Sequence, residues 1–167
     1  MSECSCGNCG RAENQTPFFF QNFQTKSVSF SYTGAQINAL FPPGAVFPKA
    51  VKVAEIDLQS NAGIIALTLS SSISNFFAGS TAAVYLALDN GDVADVNGMT
   101  RQFVQHVCGQ NSVAGLPSAS ARTNAVQMGQ NSYYTVNSGQ KIAVYASAPN
   151  DASTLLSGVA TVFWIAR

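Results

Sequence analysis

The chain has 167 residues, no net charge, 47% hydrophobic residues and only 10% charged ones, where ordinary soluble domains carry about 25% charge. That length suits one domain with a substantial core. The neutral balance argues against nucleic acid, which calls for a basic footprint, and no run of about 18 apolar residues is present to cross a membrane as a helix.

A lone soluble monomer usually protects itself with charges of both signs and a net value away from zero. Here the polar surface falls to Ser, Thr, Asn and Gln instead. This points to a surface covered by neighbours in an assembly, with life outside a crowded cytoplasm as the other reading. The first ten residues lack a basic region followed by an apolar one, so no secretory signal is expected.

Residues 1 to about 16 are polar and without periodicity, and read as an arm. Pro17 to Phe23 then sets Phe18, Phe19, Phe20 and Phe23 within six positions. Such a cluster is either a first strand tucked into the core or an anchor that docks into a neighbouring subunit, because large exposed apolar patches are rare on monomers. The expected division is therefore an N-terminal arm over 1–23 and one β-sandwich domain over 24–167.

Lys26 to Thr33 alternates cleanly, with Val28, Phe30 and Tyr32 inward and serines outward. Gly34 to Lys49, with Pro42, Pro43 and Pro48, reads as a long loop. Ala50 to Ser60 carries Val51 and Val53 on one parity and Ile56 and Leu58 on the other, which is what a bulge produces. Ile64 to Leu69 reads as a short apolar strand and Ser70 to Thr81 as a serine-rich connection.

Ala82 to Leu88 is the next strand, closed by Asp89-Asn90-Gly91, a hairpin signal because Asn-Gly accepts positive φ. Arg101 to Cys108 follows, with Phe103 and Val107 opposing Val104, His106 and Cys108. Gly109 to Thr123 reads as a loop, and short strands are expected near Asn124 to Met128 and Ser132 to Val136. Gln140 to Ser147 alternates as a half-buried strand should. Gly158 to Ala166 carries large groups on both faces, as in a strand covered on both sides. Its Val159, Phe163 and Ile165 are expected on the core, with Val162 and Trp164 opposite, which makes Trp164 a candidate contact.

The sum is eight to ten short strands and no convincing helix, Ser153 to Ser157 being the best helical stretch. This pattern predicts an all-β antiparallel sandwich, and its long crossing loops favour a jelly roll over an up-and-down barrel.

Cys4, Cys6 and Cys9 form a CxCxxC arrangement, and Cys108 lies far downstream near His106. Four sulfur or nitrogen ligands would make a tetrahedral zinc site, but no second metal-spaced pair follows. A disulfide within the arm or from arm to Cys108, and plain thiols, stand beside zinc as readings. Asp89, Asp92 and Asp95 could serve calcium with loop carbonyls, although turns attract Asp for ordinary reasons.

Glu55 and Asp57 read as the solvated side of a strand, and His106, the single histidine, as a structural one. No nucleophile elbow, phosphate loop, metalloprotease helix or dinucleotide fingerprint occurs, so no enzymatic activity is expected.

The ending from Tyr133 to Arg167, with its Asn137-Ser138-Gly139 turn before one strand and an aromatic-rich closing strand, resembles two groups of jelly rolls. One comprises the capsid, minor capsid and cement (decoration) proteins of icosahedral phages. The other comprises tumour-necrosis-factor-like and complement-like heads. The first resemblance implies a structural protein of a virion, made in the host cytoplasm, whose partners are itself, as a homotrimer, and other capsid subunits. The second implies a trimeric head recognising a glycan or protein at a surface, with Tyr133, Tyr134 and the Asp89 loop at its tips.

Overall fold

The computed structural model describes residues 23–45, 48–77, 81–108, 118–128, 134–147 and 151–167. Among these residues ten strands form two five-stranded antiparallel sheets. The first sheet holds β1 (Phe23–Thr33), β10 (Leu155–Ala166), β3 (Ala62–Phe76) and β7 (Ser118–Gln127) in that order, with β8 (Tyr134–Val136) pairing β3 beyond the end of β7. The second runs β5 (Val93–Asp95), β2 (Lys49–Asp57), β9 (Lys141–Ser147), β4 (Ala82–Leu88), β6 (Gln102–Cys108).

The pairings are nested. β1 pairs β10, β2 pairs β9, β3 pairs β7 and β8, and β4 pairs β6. The chain is thus one long antiparallel hairpin rolled up so that successive pairs fall in alternate sheets, which is a jelly roll. β5 and β8 are short additions to that plan.

The core lies between the sheets and is built from the inward parity of each strand. Phe30, Leu67, Leu69, Ile73, Leu156, Val162 and Trp164 meet Ile56, Val84, Leu86, Ile142 and Val144. In β2 the register on β9 shifts between Lys52 and Ala54. The bulge expected there is present, and it lets Val51, Val53, Ile56 and Leu58 all be buried.

Several expectations are corrected. The serine-rich run after Leu69 is strand: β3 continues through it, pairing Ser70 with Thr123 and Ser72 with Ala121. Part of the expected loop before Thr123 is likewise strand, in β7. The helix is not near Ser153, where the chain turns into β10, but at Gly34–Leu40 (α1), inside the expected proline-rich loop. Thr33 caps it: its hydroxyl accepts from the Gln36 amide while the Gln36 side chain accepts from the Thr33 amide.

The roles of the two closing strands are exchanged. β9 is buried on both faces, because residues 89–101 cover its outer side. β10 is the half-exposed one, and its parity is the reverse of that expected. Val162 and Trp164 point into the core, with Trp164 only 4% exposed, and Val159 faces out at 42% exposed.

Candidate functional site

Strand register makes the outer face of the first sheet a regular lattice of side chains. One row across β1, β10, β3 and β7 reads Ser29, Val159, Ser70, Thr123, and the next reads Ser27, Thr161, Thr68, Ala125. The rows on either side read Ser31, Ser157, Ser72, Ala121 and Thr25, Phe163, Ala66, Gln127. None of these positions carries a charged group, and none is buried.

The reason lies in period-two geometry. β1, β10 and β3 place mainly apolar residues on the core side and mostly Ser, Thr or Ala opposite, β7 keeps Ser120, Arg122, Asn124 and Val126 off the lattice parity, and the acids and bases of these strands fall off that parity too. Lys26, on the other parity of β1, reaches across the sandwich edge and donates to the Asp57 carbonyl at 2.8 Å. Neighbouring hydroxyls bond each other within the rows, Ser27 with Thr161 at 2.8 Å and Thr123 to Ser70 at 3.1 Å.

At one corner Phe23 stands 46% exposed, its ring centroid 6.1 Å from that of Phe163. A shallow groove of about 300 Å³ runs along Ser70–Ser72, Ala121–Thr123 and Ser157–Val159.

A second constellation lies inside the sandwich at the β6–β3–β7 edge. His106 is fully buried. Its Nδ1 shares a hydrogen bond with Ser71 Oγ at 2.8 Å, and its Nε2 meets Ser120 Oγ at 3.1 Å and Cys108 Sγ at 3.3 Å. A neutral imidazole has one donor and one acceptor nitrogen, and hydroxyls on both sides can take either part, so the ring is satisfied. Burial, with help from the Arg122 guanidinium, holds the His106 pKa below its ordinary value.

The Ser71–His106 pair has the two members of a nucleophile and base, but both nitrogens are engaged by hydroxyl and thiol groups and Ser71 is 4% exposed. The arrangement does what a structural histidine does: it ties β6 to β3 and β7.

The third constellation is ionic and sits on the outer side of the second sheet. Lys52 donates to Asp89 at 3.2 Å and pairs with Asp92 at 3.3 Å and Glu55 at 3.4 Å, and Lys141 also pairs with Glu55. The Tyr145 hydroxyl, with one proton to donate, lies 2.8 Å from the Gly91 carbonyl oxygen and 3.1 Å from an Asp89 carboxylate oxygen, and it accepts from the Asn90 amide at 2.7 Å. Burial pushes the Tyr145 phenol up to about 12.

The expected site residues separate accordingly. Cys4, Cys6, Cys9, Phe18, Phe19 and Phe20 lie outside the described residues. Cys108 is a buried thiol beside His106, and no group of three metal-ligating side chains is brought together among the described residues. Phe23 is on the surface and begins β1, while Trp164 belongs to the core, so the outward residues of β10 are Val159, Thr161 and Phe163.

Asp89, Asp92 and Asp95 do not converge. The first two turn to Lys52, and Asp95 accepts from the Asn97 amide at 2.8 Å. Glu55 is exposed, as expected of a solvated strand side, though engaged by two lysines. What sequence reasoning missed is the hydroxyl lattice. Its signal was there, in the every-second-residue serines of β1 and of Ser70, Ser72 and Ser74.

The chain matches no protein-family model and no curated protein. Among solved structures it is similar to a chain in a crystal structure of the infectious bursal disease virus VP2 subviral particle, at 8% identity and a TM-score of 0.38, over 86% of this chain and 33% of that one. It is similar also to structures of that virus's Gx strain (9% identity, TM-score 0.36) and Gt strain (11%, 0.35), each over 86% of this chain and 32% of that one. The chain thus spans about a third of the length of these chains.

Proposed function

We propose that the chain is a non-enzymatic structural protein of a virion, a capsid, minor capsid or cement (decoration) subunit of the phage kind. It assembles as a homotrimer, and with other capsid subunits, through the faces of its jelly roll and through the N-terminal arm. The observation that carries this reading is the uncharged outer face of the first sheet. Burying a charge against a neighbour costs several kcal/mol unless it is paired, and this face asks for no such pairing. Its hydroxyls can exchange water for a neighbour's polar groups at little net cost, while Val159, Phe163 and Phe23 supply apolar contact.

Four strands spaced about 4.8 Å and roughly 27 Å long present roughly 500 Å² of projected face. A standard interface buries about 800 Å² per partner, so the face supplies most of one contact and the arm, with Phe18, Phe19 and Phe20, supplies more. Many weak contacts around a shell then hold each subunit by multivalency.

Sedimentation equilibrium of the full chain and of residues 24–167 tests this. The full chain is expected to self-associate, and the truncation to associate more weakly. A full chain that stays monomeric at millimolar concentration would remove the assembly reading.

A further inference from the structure

We propose that residues 89–101 form a hinged flap, latched by Lys52, that lifts as one unit from the outer face of the second sheet when the latch carboxylates are protonated. Three observations carry this.

The segment is closed at its neck. Asn90 Oδ1 accepts from the Thr100 amide at 2.8 Å, and the Leu88 amide donates to the Arg101 carbonyl at 3.2 Å. A loop whose ends meet in this way is an Ω-loop and can move as a body. Gly91, at φ +87, and Arg101, at φ 50, hold left-handed backbone at the two ends, where a change of φ and ψ would be absorbed.

What the flap covers is a separate apolar layer. Ala50, Ala83, Tyr85, Ala87, Ala143 and Tyr145 are buried on this outer face, under Ala94, Val96 and Met99 of the flap. Four of the six covered residues are alanines, which offer small contact area, so most of the apolar hold on the flap comes from Tyr85 and Tyr145. Val93, on the other parity of β5, packs against the core between the sheets.

The remaining attachments are polar and local, and they include two backbone bonds, the Lys52 amide to the Asp92 carbonyl at 2.9 Å and the Val96 amide to the Pro48 carbonyl at 2.7 Å. β5 makes a three-residue pairing with β2, Lys49 to Asp95, Ala50 to Ala94 and Val51 to Val93. Beside it Lys52 reaches Asp89 and Asp92 from the flap and Glu55 from its own strand, and Tyr145 of β9 holds Asp89, Asn90 and Gly91.

The charged and titratable groups facing the latch are Lys52 and Glu55 on β2, Asp89 and Asp92 on the flap, and Lys141 and Tyr145 on β9, with Asp57 behind Lys141 and Tyr85 beneath the flap. Burial works against ionised Asp89, but the Gly91 amide and Lys52 hold its pKa below the ordinary value. Lys141 and Lys52 do the same for Glu55. Groups depressed in this way contribute above their ordinary value and are lost as pH falls through the folded one, so the latch is whole at pH 7 and fails only as pH falls below the ordinary carboxylate range.

Hydrogen exchange on the full chain, corrected for the intrinsic pH dependence, decides the matter, with hydroxyl-radical footprinting of Tyr85 and Tyr145 as a second readout. By about pH 2, well under the ordinary carboxylate range, the amides of residues 92–97 are expected to exchange about tenfold to a hundredfold faster relative to pH 7, and the two tyrosines to become reactive, while amides of β3 and β10 keep their protection. Lys52→Met, and the milder Asp89→Asn, should produce the same local opening at pH 7. Loss of protection in the flap and in β3 and β10 together would overturn the proposal, as would a flap that stays protected in both variants.

Discussion

A Cβ on Gly158 would lie 2.3 Å from the carbonyl oxygen of Ser70 and 2.9 Å from the Ser71 Cα. These are backbone atoms of the adjacent strand, and Phe30 closes the third side at 2.8 Å. The glycine is thus required by close approach between β10, β3 and the Phe30 ring. Gly158→Ala should cost about 1–3 kcal/mol, the usual range for overpacking, and push β10 from β3. Urea denaturation would show the loss as a lower midpoint with an unchanged slope.

His106 makes stability depend on pH near neutrality. Its pKa is lowered in the folded chain, so below about 6.5, the ordinary value, the unfolded chain binds the extra proton and folding is opposed. Stability should fall as pH drops through this window, with a slope of at most about 1.4 kcal/mol per pH unit, until the folded His106 is itself protonated. Melting curves between pH 7.5 and 5 check this, and His106→Gln should flatten the slope in that window. An equal slope in the variant would show that another group is responsible.

Thr33→Ala removes one half of the capping box on α1 and should cost about 1 kcal/mol. The loss is expected to be local, because Gly34 and Ala35 keep their amide bonds to the Thr154 and Ala152 carbonyls. Faster exchange confined to the first turn of the helix, with a small drop in melting temperature, is the expected result.

Val159→Lys places a charge at the centre of the hydroxyl lattice, where the parent side chain is 42% exposed. An exposed lysine costs the monomer little, within about 0.5 kcal/mol, but burying it unpaired against a neighbour is costly. The variant should fold and melt like the parent and lose self-association by at least about tenfold in concentration. Sedimentation alongside circular dichroism separates the two effects.

Strands whose two faces differ within the chain itself were legible from sequence. β1 and β6 alternate as their burial does, and the parity switch in β2 located its bulge. β9 misled for a physical reason. Its outer Ala143 and Tyr145 are covered by a segment more than forty residues upstream, and local alternation carries no information about so distant a cover. β10 misled in the opposite sense, since Phe163 and Ile165 look like core residues yet stand on the partly exposed lattice side.

The serines of β3 read as loop because composition was weighed above register. Their regular spacing becomes a strand signal only when β7 and β10 are known to flank them. The helix at Gly34 was announced by Thr33 and Gln36 at capping-box spacing, a short signal overshadowed by three prolines. Of the candidate site, the shortage of charge was visible at once, but the concentration of uncharged positions on one face required the pairing of four strands distant in sequence.

The nested pairing has a kinetic consequence. Among the described residues β10 lies between β1 and β3, and β9 between β2 and β4, so each sheet lacks a central member until β9 and β10 leave the ribosome. Pairings of such large sequence separation give a high contact order and slow folding, on the millisecond-to-second scale. Until then β1, β2 and β3 offer unpaired edges to any other nascent chain. High expression should therefore favour inclusion bodies unless synthesis is slowed. The sparse charge gives those waiting strands little electrostatic protection from one another.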